Sequence, residues 1–327
     1  MERKFVTEYC YSYMNSLTIM ITAHQLMKGG IIKHEDEINL SKCHIYLITA
    51  RPIPYFKEGS ITHKNNTLSG ILCYKIDGNE YEISFDDYPW KLGEDVVKIE
   101  HKYPFREVLS YKKNDEIDTY VPASHLANIY IPRSSEEIKL KQYEVLYIGQ
   151  SLGQGNRSAV DRLTRHETLQ KILALTHYDY PDKEIMLFML EFDNDQVLTT
   201  IDGRAKNADN SNKNETRLIN AIKNPPNKKQ KIGMIEAGLI RYFQPHYNDK
   251  FKIKFPSTKH KVLQSCFNLD VTGLTLGIDT SDLDCQLFSP TITPSHHHIV
   301  NINIANNQNR LSFFNFTGLG EFPGVIS

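Results

Sequence analysis

The stretch YEVLYIGQSLGQGNRSAVDRLTRHETLQKILAL, residues 143–175, constrains this chain more than any other. A run of aromatic and β-branched residues ends at Gly149, a loop carrying Gly153 and Gly155 follows, and leucines then recur at helical spacing. The pattern predicts a strand, a glycine-rich turn and a helix over 158–176. Placed at about 100° per residue, Ala159, Leu163, Leu169, Leu173 and Ala174 share one face of that helix, and Arg162 and His166 fall inside it. Arg165 and Lys171 point the other way, so Arg162 is the arginine aimed at the protein. An internal ion pair for Arg162 and a satisfied core imidazole for His166 would account for either residue alone. The three glycines match neither G-x-G-x-x-G nor Walker spacing, so they are no nucleotide fingerprint.

A second helix over 232–243 repeats the anomaly. Ile232, Ile235, Leu239, Ile240, Tyr242 and Phe243 form an apolar arc, and Glu236 falls in its middle. A carboxylate there costs several kcal/mol unless a cation or donor meets it, and a metal ion is one economical partner. A neighbouring lysine, or escape to the rim, is the other.

Around these helices the chain divides by pattern. Residues 5–28 are expected to form a helix stopped by Gly29-Gly30. From 43 to 121 the chain is β-like, and Asp77-Gly78 signals a two-residue hairpin. From 123 the order is strand LANIYIP, strand YEVLYIG, helix, strand EIMLFMLEF, a polar loop after Thr200, a short helix and the Glu236 helix. HHIVNINIA and LSFFNF are strand candidates near the end. The expected architecture is α+β: a small sheet flanked by helices over 123–256, a β-rich module over 1–122, and a β-containing extension over 257–327.

Composition excludes more than it selects. With a formal net charge of -1 and 24% charged residues, no global basic field advertises a polyanion, so any nucleic-acid site must be a local patch. Five scattered cysteines without close pairing argue for a reducing compartment and against a zinc ribbon. SLTIMITA is too short to span a bilayer, so a cytoplasmic protein without a membrane partner is expected. KNPPNKKQK and KFKIKFPSTKHK bracket the Glu236 helix with lysines.

Taken in order, LYIGQS, the Arg162–His166 step and MIEAGLIRYFQPHYN (residues 234–248) resemble the GIY-YIG nucleases over about 124–250. Tyr147-Ile148-Gly149 stands for the second half-motif, and NIY at 128–130 for the first, with asparagine in place of glycine. The loop between Tyr147 and Arg162 is longer than in compact members, an insertion a surface loop tolerates. The resemblance implies a metal-dependent endonuclease that hydrolyses phosphodiester bonds, with DNA favoured over RNA and the choice between them left open by the sequence. It implies Glu236 as ligand to one Mg²⁺ or Mn²⁺, Arg162 as the guanidinium on the scissile phosphate, and Asn248 as a hydrogen-bonding closure. Tyr147, Tyr130 and His166 compete for the role of base. A restriction-type enzyme and a phage-defence effector both fit. The flanking regions would select the target or hold a homo-oligomer.

Two other classes compete with this one. A GIY-YIG fold that has lost activity would bind nucleic acid without cutting it, and a scaffold protein would use its flanking regions alone. The adjacent histidines of SHHH point to opposite faces of a strand and lack a second ligand cluster, so a structural or surface role is expected for them.

Overall fold

The computed structural model describes residues 2–28, 39–151, 163, 167–306, 310–317 and 320. Its centre is strand Ile45–Pro52, buried on both faces along nearly its whole length. That is what the near-continuous apolar run IYLITA requires, since alternation would leave one face polar. It pairs antiparallel with Gln142–Gln150 on one side and Lys183–Glu191 on the other. Leu17–Thr22 extends the sheet beyond Lys183–Glu191, while Gln286–Ser289 and then Ile292–Ser295 extend it beyond Gln142–Gln150.

A second sheet runs in the order Asn194–Ile201, Thr7–Met14, Gly273–Asp279, His297–Asn303. Helix Lys228–Phe243 is packed between the two sheets. One apolar cluster joins its Ile232, Ile235, Leu239 and Phe243 to Ile45 and Ile148 of the first sheet and to Leu276 and Ile302 of the second. Each such side chain contributes about 1.5–3 kcal/mol by leaving water, which is why this helix is apolar nearly all round. Asn227 caps it, accepting from the backbone of Gln230, whose side chain accepts from the Asn227 backbone in return. On the other face of the first sheet, Leu163 and helix Glu167–Asp179 cover Tyr46, Ile48 and Leu187.

The coarse α+β class holds, but the domain boundaries do not. Residues before 122 supply two strands of the six-stranded sheet, including its central one, and residues after 257 supply strands to both sheets. What stands apart is an insertion between Pro52 and Gln142. It has a sheet built on the hairpin Thr67–Ile76 and Asn79–Pro89, a three-stranded sheet ordered Ile117–Pro122, Glu107–Lys112, Val96–Glu100, and its own core around Phe56, Trp90, Val108 and Leu126. Asp77 and Gly78 both take positive φ, 49° and 79°, as a primed turn demands.

Three local expectations also fall. Residues 5–28 form strands Thr7–Met14 and Leu17–Thr22 before the short helix Ala23–Lys28. Thr7–Met14 finds cross-strand partners on both sides and Leu17–Thr22 on one, and tertiary pairing outweighs helical spacing. LANIYIP, residues 126–132, starts within helix Ala123–Ile129 and forms no strand. LSFFNF contains a single 3₁₀ turn, Phe313–Phe316, capped by Ser312, instead of a strand.

Arg51 ties the insertion to the body. Its side chain is fully buried, and Nε donates to Glu184 Oε1 at 2.7 Å within the sheet. Nη1 donates to Asn128 Oδ1 at 2.5 Å and to the Tyr143 hydroxyl at 2.7 Å, and Nη2 to the Ser124 carbonyl at 3.1 Å. Burial works against this charge, yet Tyr143 and Glu184 outweigh it and hold the guanidinium above its ordinary pKa.

Candidate site at the end of the YIG strand

Gly149 is explained by what lies above it. Tyr46, on the central strand, is paired directly with Gly149. A Cβ at position 149 would overlap the Tyr46 hydroxyl and ring and approach the ring of Tyr147. The two tyrosine rings lie 6.2 Å apart and 31° from parallel on the face covered by helix Glu167–Asp179. Tyr46 is buried and Tyr147 half-buried. Glycine after Tyr-Ile is therefore a space requirement, because any side chain would displace the pair.

The outer edge of Gln142–Gln150 is completed in two pieces. Its first three residues pair with Gln286–Ser289. Beyond them the segment after the Glu236 helix takes over: the Tyr247 amide donates to the Leu146 carbonyl at 3.0 Å. Asn248, buried, accepts from the Ile148 amide through Oδ1 and donates to the Ile148 carbonyl through Nδ2, both at 2.8 Å. A side-chain amide thus replaces one residue of a missing strand.

Gly238 of helix Lys228–Phe243 abuts Leu276 and Ile302 of the four-stranded sheet. Glu236, two residues earlier, points roughly the opposite way, toward the six-stranded sheet. It is half-buried while Ile232, Leu239, Ile240 and Phe243 on the same side are buried. The helix starts beside His44, where Lys42, His44, Glu191, Lys228 and Lys231 line a cleft of about 400 Å³. Burial, and next the charge of Lys228, lower the His44 pKa, and its Nδ1 lies 3.1 Å from the Ser151 carbonyl. The helix and the two tyrosines lie on opposite faces of the sheet.

Beyond Asn248, Lys250, Lys252, Lys254 and His260 line a cleft of about 570 Å³. Its loop is pinned through the Lys252 carbonyl, which accepts from Arg241 and, at 2.7 Å, from Gln244. Lysines therefore stand at both ends of the Glu236 helix.

The nominated residues divide accordingly. Tyr147 and Asn248 meet on one strand, and Glu236 rides on the helix crossing it. Arg162 and His166 lie outside the described residues. Tyr130 does not belong with them. It follows helix Ala123–Ile129 in the insertion, packs against that module's core, and its hydroxyl donates to Glu137 at 3.1 Å. The tyrosine opposite the Tyr-Ile-Gly strand is Tyr46, in His44-Ile45-Tyr46, which sequence order concealed behind the insertion. Its signal was an Ile-Tyr at the start of an apolar run.

The histidines of SHHH have structural partners. His298 is buried, accepts from Tyr242 or donates to it across 3.1 Å, and its Nε2 lies 2.9 Å from the Leu287 carbonyl. His297 and His296 pair with Asp279 and Asp284. Among the described residues the ligand-like grouping is Cys73, Glu80 and Glu82, on the insertion. There Glu80 accepts from Tyr55 at 2.6 Å and Glu82 pairs with Lys57 at 2.8 Å, so both acids have partners. None of the nominated residues belongs to it.

No protein-family model, no curated protein and no solved structure matches this chain. Among the described residues no helix is long and apolar enough to cross a membrane.

Proposed function

We propose that the protein is a metal-dependent endonuclease of the GIY-YIG type, with Tyr46 rather than Tyr130 as the first-strand tyrosine. The observation that carries this is the pairing of Tyr46 with Gly149 beside Tyr147, on a strand whose edge Asn248 completes. Lysines at both ends of the Glu236 helix add support, in clefts that carry carboxylates as well. A half-buried carboxylate among the apolar residues between Ile232 and Ile240 fits a hard divalent cation, which takes oxygen ligands and keeps waters of its own. Mg²⁺ or Mn²⁺ on Glu236 would supply positive charge to the non-bridging oxygens of the scissile phosphate.

The chain's own groups would do the rest. The Tyr46 and Tyr147 hydroxyls would orient the attacking water, and a tyrosinate form of Tyr147 or the neutral imidazole of His166 would take its proton, His166 otherwise serving as acid to the leaving oxygen. Arg162 holds a non-bridging oxygen in its planar fork. Asn248 keeps the Tyr147 strand in register. Lysines 250, 252 and 254 meet the flanking backbone, with duplex DNA the preferred substrate.

The test is incubation of the purified protein with plasmid, linear duplex, single-stranded DNA and RNA, with Mg²⁺, Mn²⁺ or chelator. Metal-dependent cleavage of DNA supports the proposal. Tight binding with no cleavage under any metal moves the protein to the lapsed, binding-only class.

A further inference from the structure

A cleft of about 570 Å³ between the insertion and the body has no part in the reading above. Thr22, His24 and Glu184 form its body wall, and Tyr103, Arg106, Tyr111 and Tyr120 its module wall. Tyr103 is 86% exposed and Tyr120 39%, so the cleft presents aromatic faces to solvent rather than packing them. Among the described residues the Arg106 guanidinium forms no ion pair or hydrogen bond, although Glu184 stands in the same cleft. Crowding around it lowers its pKa, with the charges of Glu184 and then Tyr103 opposing. Glu184 is engaged by Arg51, and Glu100 by Lys98 and Lys102, which hold its carboxyl down at about 2. Glu107 is left beside Arg106 without such a partner among the described residues.

We propose that this cleft binds one nucleotide unit, its base against Tyr103 and Tyr120 and its phosphate on Arg106. Three groups of the cleft suit two parts of a nucleotide, its base and its phosphate. Exposed aromatic faces suit a base, which stacks whatever its identity. An exposed guanidinium without a partner among the described residues suits a phosphate, which it can grip in two places. A free carboxylate suits the amino or imino hydrogens of a base edge. A volume of this size is in the range of small-ligand sites.

The inference rests on the nucleic-acid reading above and gives the insertion a task within it. Glu184 is paired with Arg51 and Met189 with Tyr46, so the cleft lies five strand residues, or roughly 17 Å, from the Tyr46 end of the sheet. An unpaired base held there would anchor the strand at a fixed offset from the cut.

The experiment uses the full chain with chelator present, titrated with a 15-residue single-stranded oligonucleotide carrying 2-aminopurine, and separately with deoxyadenosine monophosphate. Tyr103→Ala with Tyr120→Ala should weaken binding of the probe by about tenfold or more and abolish the 2-aminopurine quench. Arg106→Gln, which leaves the tyrosines in place, should weaken binding while keeping the quench. Saturable, competing binding of the mononucleotide assigns the cleft to free nucleotides, and binding of the oligonucleotide alone assigns it to a strand. Unchanged affinity and quench in both variants overturn the proposal, as does a wild-type protein that binds neither probe. Metal-dependent cleavage of plasmid by the same variants reports separately on the nuclease. If cleavage persists while quench and affinity never depend on these residues, the cleft inference alone fails.

Discussion

At the scale of single residues, the site turns on side chains whose neighbours leave them little choice. Tyr46 and Tyr130 are both strand-like tyrosines in sequence, yet one lies over Gly149 and the other donates to Glu137 in the insertion. Tyr46→Phe removes only a hydroxyl and keeps the ring over Gly149. DNA cleavage should fall by about 10²-fold or more, the usual worth of a positioned acid or base, whereas Tyr130→Phe should stay within about twofold. Equal losses in a plasmid-nicking assay would contradict the placement of Tyr46 in the site. Glu236→Gln tests the metal assignment by keeping size and removing charge. Cleavage should drop by several orders of magnitude while DNA binding persists or tightens, because a negative charge has left a site facing phosphates. Were Glu236 a structural ion-pair partner instead, the same change would cost about 3 to 5 kcal/mol of stability. Melting temperature and cleavage measured on one sample separate the two outcomes.

At the scale of elements, the insertion is the informative piece because it interrupts a hairpin. The register of Gln142–Gln150 against Ile45–Pro52 runs as far as Glu144 opposite Ala50, which brings Gln142 and Pro52 side by side. A short glycine-containing turn could therefore join them. Excising the module this way strips Arg51 of Asn128 and Ser124 but leaves it Glu184 and Tyr143, so the shortened body should fold with reduced stability. In the full chain, Arg51→Ala leaves Glu184 without its cation and should cost about 3 to 5 kcal/mol, read by urea unfolding. A fragment of residues 124–256 should fail to fold. It contains Gln142–Gln150 and Lys183–Glu191 but lacks the central strand that separates them, so two apolar strand edges are left without hydrogen-bond partners. A sharp amide spectrum from that fragment would contradict the topology.

At the scale of the whole molecule, buried polar groups tie the ends of the chain into the core. Glu8, fully buried on strand Thr7–Met14, receives Arg310 at 2.7 Å and the Thr272 hydroxyl at 3.1 Å. Arg217 lies over the rings of Phe5 and Tyr9 in the same place. Histidines give the fold its acid sensitivity. Burial is the first cause that lowers the pKa of His44, His101, His260 and His298 below the ordinary 6.5. Above about 6.5 these imidazoles are neutral in both states and the stability they permit is present in full. Below it the unfolded chain takes up protons first, so stability falls as pH drops toward the folded values. Melting temperature should be level from pH 7 to 8 and decline below about 6.5, and His298→Gln should flatten part of that decline. A melting temperature that rises on acidification through pH 6 would contradict the assignment of neutral, buried histidines.

What could be read in the sequence was whatever local physics decides. The Asp77-Gly78 turn follows from backbone conformations that few residues tolerate. The Glu236 helix follows from the spacing of its apolar residues, and the Tyr147 strand from its run of strand-forming residues before Gly149. Each depends on neighbours within a few positions. Partners across a sheet obey no such limit. Residues 5–28 carry enough apolar groups to satisfy a helical period, and only the edges offered by Asn194–Ile201, Gly273–Asp279 and Lys183–Glu191 make strands of them. Tyr130 stood nearer to Tyr147 in sequence than Tyr46 did, and proximity in sequence pointed to the wrong tyrosine. The sheet chooses Ile45–Pro52 because that strand can bury both faces between two neighbours, a gain that belongs to the assembled sheet and to no stretch of the chain alone.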